Sequence, residues 1–321
     1  MDVENSLTTL GLDKEHRDEA LSLGLRLARV IVEHQDRYTV VTEEKTVDVF
    51  LEGKARKHLD QNKSRPVVGD WVGLNESEKI TSILKRKNEF RRKRPGKEHL
   101  PQVLAANISS VFIVTSCNKD FSSHRLERFL LSAYDVTDDV HVVLNKSDLT
   151  ESLNDYEDTI NKLILEGTQI HTVSVTQDLG MASLMAQFSA YKTSVLVGSS
   201  GVGKSTLGNA LLEKNYFPTG PIRTKDDKGR HTTTRRELIC LPKGRGLLID
   251  TPGLRDLSFW VSEESLQRAY SDIYEIATRC KYRNCAHRTE KECAVRSEYD
   301  RPERLDSYLG LKNELSTIRN I

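Results

Sequence analysis

Ser194-Val195-Leu196-Val197-Gly198-Ser199-Ser200-Gly201-Val202-Gly203-Lys204-Ser205-Thr206 is the stretch from which the rest of the chain can be read. Its apolar start, Ser194–Val197, has the β-rich character of a strand, and Thr206–Leu212 that of a helix. Between them, Gly198-x-x-x-x-Gly203-Lys204-Ser205 fits in full the glycine-rich loop that cradles phosphates, in the strand–loop–helix context the motif requires. Glycines let successive backbone N–H groups wrap phosphate oxygens, and the helix N-terminus adds its dipole. Gly198, Ser199, Ser200, Gly201, Val202, Gly203 and Thr206 are therefore expected to line a nucleotide site. Lys204 is expected to reach the β- and γ-phosphates, and the Ser205 hydroxyl to ligate Mg²⁺.

Upstream, Asn145-Lys146-Ser147-Asp148 directly follows a second strand-like run, Val142-Val143-Leu144, at a strand end where α/β folds place ligands. The Asp148 carboxylate can accept both the N1–H and the exocyclic amine of guanine. Adenine offers neither, and unpaired polar groups would reject it. Asn145 can donate to the purine edge, and the Lys146 stem can pack over the ring. Ser174-Val175, in a strand starting at His171, is a plausible second guanine contact through Ser174 and a backbone N–H. Downstream, Asp250-Thr251-Pro252-Gly253 follows the strand Leu247–Ile249; such an Asp helps hold Mg²⁺ and the Gly N–H can sense the γ-phosphate. Gly229-Arg230-His231-Thr232-Thr233-Thr234-Arg235-Arg236 lies between, and Thr233 or Thr234 is a natural second Mg²⁺ ligand, though Thr232 stays open. Leu254 stands where many GTPases carry a Gln that orients the attacking water, so another group must serve; His231 is a good candidate on its chemistry.

The motifs are complete but rotated: the base motif precedes the phosphate loop and the Asp-x-x-Gly element comes last. Joining the ordinary ends and reopening the chain before the base-binding half gives this order with the sheet intact. From about 100 to 260, strands alternate with amphipathic helices, the signature of a parallel sheet wrapped by helices. Before it, five short β-rich runs, Leu25–Glu33, Tyr38–Thr42, Val47–Glu52, Val67–Leu74 and Ile80–Lys85, suggest a small OB or SH3-like barrel, with a simpler meander as the alternative. Residues 1–22 read as a polar lead-in.

Between barrel and sheet, residues 85–97 carry eight basic side chains and one acidic, +7 in thirteen positions, which reads as a solvated linker or a phosphate-contacting strip. The whole chain of 321 residues is only +1, so the remainder stands at −6 and the near-neutral total does not exclude an RNA partner. A charged fraction of 30% beside 37% hydrophobic residues describes a folded chain with a wet surface. No apolar run approaches the ~18–20 residues of a membrane helix, and Met1–Asn5 lacks a signal-peptide start, so a cytoplasmic chain without membrane contact is expected. Five cysteines fit a reducing compartment. Cys117 and Cys240 lie in or beside strand-like runs and read as buried thiols. Cys280-x₄-Cys285-x-His287-x₅-Cys293 supplies the donor set of a closed, structural Zn²⁺ site, and the basic Lys281, Arg283 and Arg288, interspersed between these four, can face RNA or simply solvent.

Taken together, Asn145–Asp148, Gly198–Ser205, the Gly-Arg-His-Thr-Thr-Thr run at 229–234, Asp250–Gly253 and the cysteine cluster resemble the circularly permuted small-ribosomal-subunit biogenesis GTPases of the RsgA/YjeQ type, over nearly the whole chain. The resemblance implies an OB-like barrel, a permuted P-loop GTPase domain and a mainly α zinc-binding domain. The corresponding expectation is an N-terminal extension over 1–24, barrel and basic linker over 25–97, GTPase over 98–262 and zinc domain over 263–321. It further implies His231 as the catalytic residue, GTP hydrolysis stimulated by the small subunit, binding of that subunit and its rRNA, and a role in its late maturation. A monomer is expected. The competing reading is an RNA-binding module that holds GTP but barely turns it over.

Overall fold

The computed structural model describes residues 7–53, 57, 65–93, 101–218, 236–250 and 261–319. β1 (Arg26–Glu33), β2 (Tyr38–Val41), β3 (Thr46–Leu51), β4 (Trp71–Leu74) and β5 (Lys79–Ile83) close in the order β1-β2-β3-β5-β4-β1. The β3–β5 contact is parallel and the others are antiparallel. Alternation along each strand sends Val30, Val40, Val49, Val72, Leu74 and Ile80 into one apolar interior. β-Branched residues suit that pleated, half-buried surface. The barrel, not the meander, is what the chain forms.

The basic run that follows is not a plain linker. Glu89–Lys93 forms β6, paired antiparallel with β7 (Pro101–Ala106), and Phe90 between the charges is fully buried. Much of the charge in its first half is met inside the protein. Arg86 grips the buried Asp70 with two bonds of 2.7 Å and reaches Glu89 at 2.7 Å. Burial works against the Arg86 charge, but the Asp70 fork outweighs it and holds the guanidinium pKa above its ordinary value. Lys87 pairs with Asp13 at 2.6 Å and Arg91 Nε with Glu89 at 2.6 Å. Residues 94–97 of the run lie outside the described residues. The N-terminal lead-in is also more than polar spacer: Leu7 and Leu10 are buried in the main core, ahead of α1 (Lys14–Ser22), whose first turn is capped by Asp13.

The second half of the chain builds β8 (Ser110–Ser116), α2 (Ser123–Tyr134), β9 (Val140–Asn145), α3 (Leu153–Asn161), β10 (Gln169–Thr172), α4 (Met181–Met185), β11 (Thr193–Val197), α5 (Lys204–Leu212), β12 (Arg236–Cys240) and β13 (Leu247–Asp250). The sheet order is β10-β9-β8-β11-β13-β12, the first five parallel and β12 antiparallel to β13. Successive residues of β8 feed two different cores: Val111 and Ile113 meet Leu126 and Phe129 of α2, while Phe112 and Val114 meet Leu184 of α4 and Leu207 of α5. A strand covered on both faces explains the unbroken apolar run at 111–114. The chain travels outward from β8 to β10 and returns to β11 on the other side of β8. That reversal is the topological switch point where such sheets bind ligands. β12 also pairs with β1, so barrel and sheet are continuous.

α6 (Glu263–Ala269), α7 (Ser271–Ala277), α8 (Ala294–Glu298) and α9 (Pro302–Arg319) pack on α2, with Leu131 joining Leu266, Tyr270, Ile273 and Tyr308 in one cluster. Cys117 is buried as expected, but Cys240 is exposed. It ends β12 beyond Arg236 and Glu237, the residues that β1 pairs with. Among the described residues no helix is long and apolar enough to cross a membrane.

Candidate nucleotide and metal sites

The phosphate loop leaves the carboxyl end of β11 beside β8, at the switch point. Gly203, at φ 101°, turns the chain into α5, and Lys204 Nζ donates to the carbonyls of Gly198 (2.7 Å) and Ser199 (2.5 Å), holding the ammonium against the loop. Ser205 and Thr206 follow on the first turn of α5. The base motif leaves the end of β9, the strand beyond β8. Lys146 takes a left-handed conformation (φ 60°), a 3₁₀ turn spans Ser147–Leu149, and Asp148 is exposed there.

Side chains staple these loops together. Asn145, nearly fully buried, donates from Nδ2 to the Val202 carbonyl at 2.9 Å and accepts the Val175 N–H at 3.4 Å. Lys146 Nζ donates to the Gly201 carbonyl at 2.8 Å. The approach is so close that a Cβ on Gly203 would sit 2.2 Å from Asn145 Nδ2. Ser174 is brought to the same corner, but its groups are engaged locally. Its N–H donates to Leu179, and its hydroxyl accepts the Gln177 N–H at 3.3 Å and meets the Thr176 hydroxyl at 3.3 Å. Behind the base turn, the Cys117 N–H donates to the Asn145 carbonyl at 2.9 Å. Burial, reinforced by the carboxylates of Glu157 and Asp148, pushes the Cys117 thiol up to about 11, so it stays neutral. Asp250 ends β13, one residue past the Val195–Ile249 pair, at the carboxyl end of the sheet from which the phosphate loop also leaves. The Ser205 hydroxyl and the Asp250 carboxylate suit a hard cation such as Mg²⁺. His231, Thr232, Thr233, Thr234, Gly253 and Leu254 lie outside the described residues.

The second site is in the C-terminal helices. The donor atoms of Cys280, Cys285, His287 and Cys293 all lie within 4.8 Å of one another. Cys280 Sγ is 3.9 Å from Cys293 Sγ, and His287 Nδ1 is 3.6 Å and 3.5 Å from those two sulfurs. Tetrahedral zinc, with bonds of about 2.3 Å to sulfur and 2.0–2.1 Å to nitrogen, demands edges of about 3.8 Å and 3.6 Å. The cage therefore has the size of a zinc site. Burial, with the neighbouring thiols adding to it, lifts the Cys285 thiol to about 11, so it is neutral until a cation takes the place of its proton. Burial also opposes the Cys280 thiolate, but the N–H groups of Val295 and Ala294 outweigh it and bring that thiol below its ordinary value. Sequence reading missed Glu290, whose carboxylate accepts the N–H groups of Ala286 (2.8 Å), Arg288 (2.9 Å) and Thr289 (3.0 Å) and so shapes the loop that presents His287. Those bonds hold its carboxyl down at about 2. An acidic residue in a polar loop carries no periodic signal that would single it out.

Comparison with known proteins agrees with this geometry. The model of the RsgA GTPase family matches residues 83–260. The small ribosomal subunit biogenesis GTPase RsgA 1 of Oceanobacillus iheyensis is 36% identical over 302 residues, covering 91% of this chain and 86% of that one. RsgA 2 of Vibrio parahaemolyticus is 39% identical over 274 residues, 84% of this chain and 73% of that one. Among solved structures, YjeQ from Thermotoga maritima superposes with a TM-score of 0.63 at 25% identity, covering 90% of this chain and 98% of that one. YloQ, described as a circularly permuted GTPase, gives 0.59 at 26% identity over 92% of this chain and 96% of that one.

Proposed function

Since the chain belongs to the RsgA GTPase family, we propose that it hydrolyses GTP to GDP and phosphate in the service of small ribosomal subunit biogenesis. The observation that carries this reading is the stapling of the base turn to the phosphate loop through Asn145–Val202 and Lys146–Gly201 at the switch point. In this reading Asp148 selects guanine and Gly198–Ser205 with Thr206 cradles the phosphates. Ser205, Asp250 and one of the threonines at 232–234 would hold Mg²⁺, whose charge offsets that developing on the phosphates. His231 positions or activates the water in place of the glutamine that Leu254 replaces, with Gly253 beside the γ-phosphate. Ser174 and Val175 border the base site, the Val175 N–H holding the Asn145 amide in place.

We take the chain as a monomer with an extension over 1–24, barrel and basic segment over 25–97, GTPase over 98–262 and C-terminal domain over 263–321. The β6–β7 hairpin bridges the first of the later boundaries. Zn²⁺ held by Cys280, Cys285, His287 and Cys293 would be structural, because four protein ligands leave no open position. The barrel, the basic segment and the zinc domain would grip rRNA.

Single-turnover hydrolysis with and without purified small subunits tests the whole reading, alongside displacement of bound GDP by GTP and ATP. GTP should compete and ATP should not, and the subunits should raise the rate. Tight GTP binding with no turnover under either condition would favour the RNA-binding module instead. Binding to the subunits should weaken steeply as salt rises if phosphate contacts dominate.

A further inference from the structure

α2 is buried on two sides, and its sequence separates them. Leu126, Phe129, Leu130 and Ala133, spaced i, i+3, i+4 and i+7, share a core with Val111 and Ile113 of β8 and with Val195 and Val197 of β11. Val197 is the residue before Gly198, where the phosphate loop begins. The start of the helix reaches the loop itself: Ser122, Arg125 and Leu126 line one small cavity with Ser199 and Val202. The other side of α2 carries Glu127 and Leu131, an i, i+4 pair. Leu131 enters the core of the C-terminal helices, and Glu127, only 4% exposed, turns its carboxylate to the same helices.

A buried carboxylate is costly unless it is paired and hydrogen-bonded. The partners of Glu127 come from across the interface. The Tyr270 hydroxyl donates to its Oε1, and the Arg304 guanidinium lies 4.0 Å away. Arg304 is itself held in place, stacked over the Tyr270 ring at 4.6 Å and donating to the Ala269 carbonyl at 2.6 Å and to Asp272 at 3.4 Å. The Glu127 carboxylate is therefore satisfied by protein only while the C-terminal helices sit on α2.

We propose that Glu127 is a positioning residue for nucleotide binding: its bond to Tyr270 fixes α2 between the C-terminal helices and the phosphate loop, so that docking of those helices and affinity for guanine nucleotide are linked. The proposal rests on the GTPase reading above and deepens it by naming a regulation of that site. When the helices lift, Glu127 becomes an uncompensated buried charge, and α2 relaxes toward water to hydrate it. Leu126 and Phe129, on the opposite side of the same helix, then shift against Val197 at the root of the phosphate loop. Linkage makes the effect reciprocal: bound nucleotide tightens the docking by the factor by which docking raises affinity, about 5- to 150-fold for couplings of this kind.

The test measures GDP affinity, and amide hydrogen exchange in α6 and α7 with and without GDP, for the full chain, Tyr270→Phe, Glu127→Met and the double variant. GDP should slow exchange in α6 and α7 of the parent chain. Tyr270→Phe keeps the ring but strands the carboxylate, and should weaken GDP affinity about tenfold and abolish that slowing. The double variant replaces both polar partners by apolar groups of similar shape, so its affinity should return to within about threefold of the parent. A merely structural role would leave the double variant at least as weak as either single one. That result, parent-like affinity in folded Tyr270→Phe, or exchange in the parent that ignores GDP would overturn the assignment. The last of these needs no variant and decides the matter if Tyr270→Phe does not fold. A parent chain that binds no guanine nucleotide would remove the functional reading itself, which is a separate failure.

Discussion

Replacing Gly203 by alanine probes the staple between the two nucleotide motifs directly. Gly203 sits at φ +101°, and a Cβ there would be 2.2 Å from Asn145 Nδ2. The backbone conformation alone costs a non-glycine residue about 1–3 kcal/mol. The Asn145 amide can retreat only by abandoning the Val202 carbonyl at 2.9 Å and the Val175 N–H at 3.4 Å, worth about 0.5–1.5 kcal/mol each. The total of about 2–6 kcal/mol, set against the binding-competent loop, weakens GDP affinity from about thirtyfold to about twenty-thousandfold. A titration of Gly203→Ala alone measures the sum; a double-mutant cycle with Asn145→Ala separates its parts. With the obstructing amide gone, the Gly203 substitution should cost only the backbone share, leaving a coupling of about 1–3 kcal/mol. Additive effects would mean that the close approach of Asn145 to Gly203 does not matter, and the reasoning would fail.

Three further outcomes follow from the same geometry. Purified protein should carry about one zinc per chain by elemental analysis, and its removal or Cys285→Ala should unfold the C-terminal helices, since structural zinc supplies about 10–16 kcal/mol in small domains. A zinc-free, fully folded chain would refute the cage. His141 and His171 form a buried pair (3.0 Å) backed by Asp139 at 3.0 Å, and burial, with His141 adding to it, depresses the His171 pKa to about 4. Because the folded pKa lies below the unfolded value of about 6.5, stability is whole above pH 6.5 and falls by at most about 3 kcal/mol toward pH 4. Melting across that range should show the loss, and His171→Gln should flatten it. Asp70→Asn should leave Arg86 with Glu89 as its carboxylate partner and destabilise the barrel by about 1.5–3 kcal/mol, read as a lowered melting transition.

The parts of the molecule that were legible in sequence are those whose chemistry fixes spacing. The phosphate loop, the base turn and the cysteine cluster each need particular residue types at set intervals, and the barrel strands carry a period of two. The β6–β7 hairpin was hidden because Glu89–Lys93 offers one buried apolar residue, Phe90, among charges. Its pairing is set by β7 and by Asp70, which lies nineteen residues before Glu89 in the chain. Leu7 and Leu10 escaped notice for the opposite reason: two leucines in a polar stretch form no pattern until the core they enter exists. Glu127 looked like any charged residue of an amphipathic helix. Its role depends on where Tyr270 and Arg304 return, which no local propensity encodes.

The order of motifs suggests that a movement after Asp250 would pull directly on the C-terminal domain, since only a short segment separates it from α6. The contacts around α2 change that picture. Ser262, which caps α6, gives both its N–H (2.8 Å) and its hydroxyl (2.5 Å) to Asp135 just past the end of α2. Arg268 pairs with Asp138 at 2.6 Å, Tyr270 donates to the buried Glu127, and Arg128 pairs with Glu314 at 3.0 Å. A displacement arriving from Asp250 therefore meets an anchored helix, and it must either break the Ser262–Asp135 contact or carry α2 with it. α2 follows β8, the strand beside the phosphate loop at the switch point, so the second route leads back to the nucleotide. The barrel is joined by another means, backbone hydrogen bonds between β1 and β12. Side-chain contacts can be removed one at a time, whereas a shared sheet cannot. The C-terminal domain is consequently the part that point substitutions can uncouple from the nucleotide, while the barrel moves with the sheet or not at all.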